Sequence, residues 1–120
     1  MKTILFFTGL LFSMFVFSHV PDKTLCIKHP DAEQLDNFLK KNQSIFVEVK
    51  GSSEFAETFQ QLLSKEKNSI ESVNRGKVTG DFYGFQITFK KNISREEFMK
   101  VLKKAGITHL KINNSEPQAI

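Results

Sequence analysis

Thiols are scarce in this sequence. A single cysteine, Cys26, occurs in 120 residues. That excludes an internal disulfide framework and any site drawing two or more thiolates from this chain. There is also no triad-like arrangement of Ser, His and Asp, no glycine-rich phosphate loop and no histidine pair at helical spacing. Glu54, Glu57, Glu96 and Glu97 read as helix-start charges rather than an acid/base pair. The chain is therefore read as non-catalytic, with no cofactor and no metal. A net charge of +4 is too weak to argue for nucleic acid. The length fits one domain and not a multidomain enzyme. A hydrophobic fraction of 40% excludes wholesale disorder.

No apolar run reaches the roughly 20 residues of a membrane-spanning helix. The longest, Ile4 to Ser18, follows Lys2 and is succeeded by His19, Val20 and Pro21. A basic start, a short apolar stretch and a polar exit describe a secretory signal peptide. Val16 and Ser18 are small enough for the positions three and one before a cut, which places cleavage after Ser18. The expected location is exported, periplasmic or secreted, with membrane contact only through the signal segment before cleavage. Cleavage leaves 102 residues with a net charge of +3 and 8 of the 13 phenylalanines.

Residues 19–30 carry two prolines and no period, and read as a tether. Asp31 with Gln34 forms a capping-box arrangement before Ala32, Leu35, Phe38 and Leu39, which predicts an accessory helix within 31–43. Ile45, Val47 and Val49 alternate with Phe46, Glu48 and Lys50 in a half-buried strand. Ser53 is expected to cap a helix to about Lys65, with Phe55, Phe59, Leu62 and Leu63 on its apolar face. Strand chemistry runs from Ile70 to Lys91, with a turn placed at Thr79-Gly80-Asp81, Asn74-Arg75-Gly76 being the alternative, and inward Phe85, Ile87 and Phe89. Ser94 and Glu97 form a second capping box, with Ile93 stapled onto Phe98. Phe98, Val101, Leu102 and Ala105 share one stripe, and Gly106 suits a left-handed helix stop. A last strand places Leu110 and Ile112 inward, and residues 115–120 read as a frayed tail.

From 44 to 114 the order is strand, helix, strand, strand, helix, strand. Right-handed crossovers put both helices on one face of a four-stranded antiparallel sheet. This predicts an α+β, ferredoxin-like βαββαβ sandwich with an extra N-terminal helix.

The runs FVEVKGSSEFAETFQQLL, SIESVNRGKV and QITFKKNISREEFMKVLKKAGI resemble the heavy-metal-associated domain. In that family a strand and glycine lead into a loop with two cysteines separated by two residues. Here Gly51-Ser52-Ser53-Glu54-Phe55-Ala56-Glu57 stands there without sulfur, so thiolate selection of monovalent copper does not carry over. The same pattern is similar to peptidoglycan-binding SPOR domains, although Glu48 replaces their usual first-strand glutamine. The resemblances imply an exported binding or interaction domain without metal ligands. The alternatives are a cell-wall (peptidoglycan) binding module and a protease propeptide or inhibitor-like domain.

On the predicted fold the sheet face away from the helices carries Phe46, Glu48 and Lys50, then Gln86 and Thr88, then His109 and Lys111. These are the candidate binding residues, for a protein or a cell-envelope ligand. The competing reading is a solvated face, or one covered by the accessory helix through Leu35, Phe38 and Leu39. Cys26, His29 and Asp31 lie close in sequence, but two protein ligands rarely suffice for a structural metal. An unpaired thiol in an oxidising compartment is open to an intermolecular disulfide. Lys90, Lys91, Lys100, Lys103 and Lys104 read as solvated surface lysines. Asn42, Asn92 and Asn113 begin Asn-X-Ser motifs, which matter only in a eukaryotic secretory route.

Overall fold

The computed structural model of the protein describes residues 20–120; the signal segment and its cleavage point lie outside the described residues. Strand β1 (Thr24–Ile27) is followed by a 3-10 turn (Pro30–Gln34) and helix α1 (Leu35–Lys41). Then come β2 (Ser44–Lys50), α2 (Ser53–Ser64), β3 (Ile70–Thr79), β4 (Phe82–Phe89), α3 (Arg95–Lys104), β5 (His109–Ile112) and β6 (Gln118–Ala119). The architecture is α+β, with one mixed sheet ordered β3-β4-β2-β1-β5-β6.

Three expectations are corrected here. The sheet has six strands and not four. The segment read as a tether contains β1, which pairs antiparallel with β2 and parallel with β5. It sits where the four-stranded reading would have joined β2 directly to β5. The tail read as frayed contributes β6, paired antiparallel with β5 through His109↔Ala119 and Leu110↔Gln118. The physical reason β1 escapes pattern reading is its burial. All four of Thr24, Leu25, Cys26 and Ile27 are buried, so no polar alternation marks the strand. Two flanking prolines then give it the look of a linker.

Elsewhere the elements fall where expected but two caps differ. Asp31 and Gln34 form no capping box, because Asp31 already lies inside the first turn and the Gln34 side chain caps nothing. Ser52, not Ser53, caps α2, its hydroxyl accepting from the Phe55 amide at 3.1 Å. The Ser94 hydroxyl accepts from the Glu97 amide at 3.1 Å at the start of α3. The Glu97 carboxylate accepts from the Ser69 hydroxyl at 3.1 Å. The β3–β4 hairpin turns through Gly80, whose φ of +62° suits glycine. Gly106, at φ +96°, ends α3. The accessory helix begins as a 3-10 turn capped by His29, whose Nδ1 accepts from the Asp31 amide. Its α-helical part starts only at Leu35.

All three helices contribute to one core. Ala32, Leu35, Phe38 and Leu39 join Ala56, Phe59, Leu63, Phe98, Val101 and Leu102. These meet one side of the strands, formed by Leu25, Ile27, Ile45, Val47, Val49, Phe85, Ile87, Phe89 and Leu110. Helix α1 is fastened beside α3: Asp36 accepts from the Arg95 amide at 3.2 Å, and Asn92 donates to the Leu39 carbonyl at 3.0 Å. It therefore does not lie across the opposite sheet face. Among the described residues no helix is long and apolar enough to cross a membrane.

Candidate functional site

Alternation on the strands decides which side chains reach the open face. On β2 these are Phe46, Glu48 and Lys50; on β4, Gln86 and Thr88; on β5, His109 and Lys111. Register places Phe46 opposite Gln86, Glu48 opposite Gly84 and Lys50 opposite Phe82. The seven residues do share a face, but they are not one contiguous group. Strand β1 intervenes, with Thr24 opposite both Lys50 and His109, and Cys26 opposite both Glu48 and Lys111. His109 and Lys111 are thereby set one strand further from Phe46 than the four-stranded reading implies. Thr24 and Cys26 escape the sequence reading because a tether has no face to assign them to.

Phe46 is the most exposed aromatic here, at 49%. Its ring is seated on two glycines. A Cβ at Gly84 would stand 2.9 Å from Phe46 Cζ, and one at Gly76 would stand 3.1 Å from Cε2. The register shift in β3 between Arg75 and Val78 brings the Lys77 backbone close to Gly84 as well. One ring face is thus held by the sheet while the side chain remains half exposed. Beside it, Gln86 Nε2 donates to Ser44 Oγ at 3.0 Å, which leaves the Gln86 carbonyl oxygen available as an acceptor.

Charges on this face are largely paired. Lys28 meets Glu48 at 2.9 Å, and Lys50 meets Asp22 at 3.2 Å and Asp81 at 3.6 Å. The hydrogen bond to Glu48, then its charge, holds the Lys28 ammonium above its ordinary pKa. Lys111 donates to the Asn113 carbonyl. His109 Nδ1 lies 2.9 Å from Thr108 Oγ1. Thr24 is fully buried and donates to the Pro21 carbonyl at 2.7 Å, so residues 21–24 fold back over one end of the face. On the helix side of the molecule Lys104 pairs with Glu66 at 3.3 Å, as a solvated lysine does.

Cys26 is only 5% exposed. Desolvation raises its pKa above the ordinary thiol value of 9.0; Lys111 and Lys28 pull the other way, and Glu48 adds to the rise. Cys26 does not meet His29 and Asp31 in a metal-binding cluster. His29 instead faces Phe38, with ring centroids 4.9 Å apart. Among the described residues no group of three or more His, Cys, Asp or Glu is placed to hold a metal ion. The thiolate is the nucleophile in disulfide exchange, so a disulfide to another chain through Cys26 requires the strand to be uncovered first.

The buried thiol also sets a pH dependence. Between the unfolded and the raised folded pKa, the unfolded chain has lost the thiol proton while the folded chain retains it. Stability then falls as pH rises. Urea unfolding should show the midpoint dropping as pH rises above about 9, the ordinary thiol value, with that part of the slope absent in Cys26→Ala. A slope unchanged by the substitution would assign it to other groups.

No protein-family model matches the chain, and no curated protein or solved structure is significantly similar to it.

Proposed function

We propose that this chain is an exported, non-catalytic binding domain that takes its partner on the open face of the sheet. Its plan is read as ferredoxin-like, resembling heavy-metal-associated domains without their sulfur ligands and elaborated by β1 between β2 and β5. The observation that carries the reading is the placement of all three helices in one core on one side of the sheet, which leaves Phe46 half exposed on the other. Exposed aromatics held rigidly by their surroundings are favoured anchors at binding surfaces.

A photo-crosslinking residue placed at position 46 or 86 in the exported chain tests this whatever the partner's identity. The expected result is a discrete adduct from both positions and none from positions 100 and 103 on α3. Adducts of equal yield from both surfaces, or from α3 alone, would reject the reading.

A second reading, a cell-wall glycan as the ligand, is favoured by one observation. The Phe46 ring seated on Gly76 and Gly84 is a stacking platform beside the Gln86 and Ser44 polar pair. Retention of the mature chain on purified sacculi, lost in Phe46→Ala, is the expected result for a glycan ligand. Equal retention of both chains would rule Phe46 out as its contact.

A further inference from the structure

The three Asn-X-Ser motifs are spread along the chain, yet their asparagines share a structural task. Each uses its side-chain amide nitrogen, the atom that would carry a glycan, to hold the segment around α1. Asn42 Nδ2 donates to the Phe38 carbonyl at 2.9 Å, closing the C-terminus of α1. Asn92 Nδ2 reaches from the β4–α3 loop to the Leu39 carbonyl at 3.0 Å. Asn113 does most. Its Nδ2 donates both to the His29 carbonyl and to Glu33 Oε1, each at 2.9 Å. Its Oδ1 accepts from the His29 amide at 2.9 Å, and its own backbone amide donates to the Ile27 carbonyl at 2.8 Å.

Asn113 also adopts φ +52°, a left-handed conformation that asparagine tolerates better than most residues. A side-chain amide has two N–H donors and no more, and at Asn113 both are committed. Transfer from a lipid-linked oligosaccharide pyrophosphate forms a bond from sugar C1 to Nδ2. It expels the lipid pyrophosphate and removes one amide proton. The product has a single N–H and a sugar where the second acceptor must lie.

We infer that glycosylation at Asn113 weakens the docking of the 29–41 segment. The Asn113 motif is a structural latch, and a glycan on it loosens the α1 segment although Leu35, Phe38 and Leu39 still anchor it in the core. Asn42 and Asn92 each use one N–H toward the same segment, so modification there leaves a donor in reserve. The ranking of the three sites follows: Asn113 is incompatible with the native contacts, and the other two are tolerant.

The test uses the full chain translated into microsomes that supply the transferase and its lipid-linked donor. Molecules are separated on a lectin, and glycopeptide mass spectrometry identifies the occupied asparagine. Chains occupied at Asn113 are expected to exchange the amide hydrogens of residues 30–41 roughly tenfold to a hundredfold faster than unoccupied chains. Their Tm should fall by about 10 °C. Trimming the glycan to one sugar should not restore protection, because the first sugar already replaces the proton. Asn113→Asp, which lacks both donors and faces Glu33, should accelerate the same amides without any glycan. Native exchange rates in chains occupied at Asn113, or in Asn113→Asp, would overturn the inference.

Discussion

A chain that begins at Lys28 is expected to show no cooperative unfolding transition, whereas one beginning at His19 unfolds as a single unit. The truncation removes β1, a central strand bonded on both sides. It strips Leu25 and Ile27 from the core, where both are essentially unexposed. It also leaves β2 and β5 facing a gap, each with a row of backbone groups whose partners have gone. Burying one such aliphatic side chain is worth about 1.5–3 kcal/mol, before the lost ladders are counted. A domain of this size holds about 5–15 kcal/mol in all. Loss of the strand therefore removes a share comparable to the whole. Far-UV circular dichroism through a urea titration, with NMR shift dispersion, reads the outcome. Leu25→Ala gives a graded version, with an expected loss of about 2–5 kcal/mol. A true tether would survive the truncation, with no change in midpoint for Leu25→Ala.

Gly84→Ala is expected to cost about 2–4 kcal/mol, in the range of severe overpacking. The added Cβ would meet the Lys77 carbonyl oxygen at 2.8 Å as well as the Phe46 ring at 2.9 Å. A ring can swing aside; a backbone carbonyl in the neighbouring strand cannot do so without moving the hairpin. Gly76→Ala is the matched comparison, because its nearest obstacle is Phe46 Cε2 at 3.1 Å, a side-chain atom. Phe46→Ala should thus rescue Gly76→Ala almost fully and Gly84→Ala only in part. A denaturant double-mutant cycle on each pair measures the difference. Equal rescue at both glycines would mean that the carbonyl contact relaxes freely. The same experiment bears on binding, since Gly84→Ala unseats the ring that the proposed surface presents.

Legibility from sequence follows local chemistry closely. Helix α3 is readable in detail because its cap, its apolar stripe and its stop lie close together: Ser94, then Phe98, Val101 and Leu102, then Gly106. The hairpin turn is only half readable, because Gly76 and Gly80 both offer a glycine turn and the positive φ at Gly80 decides between them. The inward sets on β2 and β4 are readable because one face is buried and the other is not, so polarity alternates. Their outward set, from Phe46 to Lys111, comes with that reading. What cannot be seen is its spacing across the sheet, since β1 separates Glu48 from Lys111.

Composition and periodicity by themselves determined the α+β class, three helical segments, four of the strands and the faces of those strands. They also removed thiolate metal chemistry, because one cysteine cannot make a two-cysteine loop. Tertiary structure alone decided that residues 24–27 enter the middle of the sheet, that Cys26 is a buried thiol, and that α1 joins the core rather than the open face. The physical reason is dependence on partners distant in sequence, as α1 depends on Asn92 and Arg95. A strand buried on both faces and bonded at both edges owes its conformation to partners far away in the chain, as Thr24 does to Lys50 and His109. No neighbour in sequence records them.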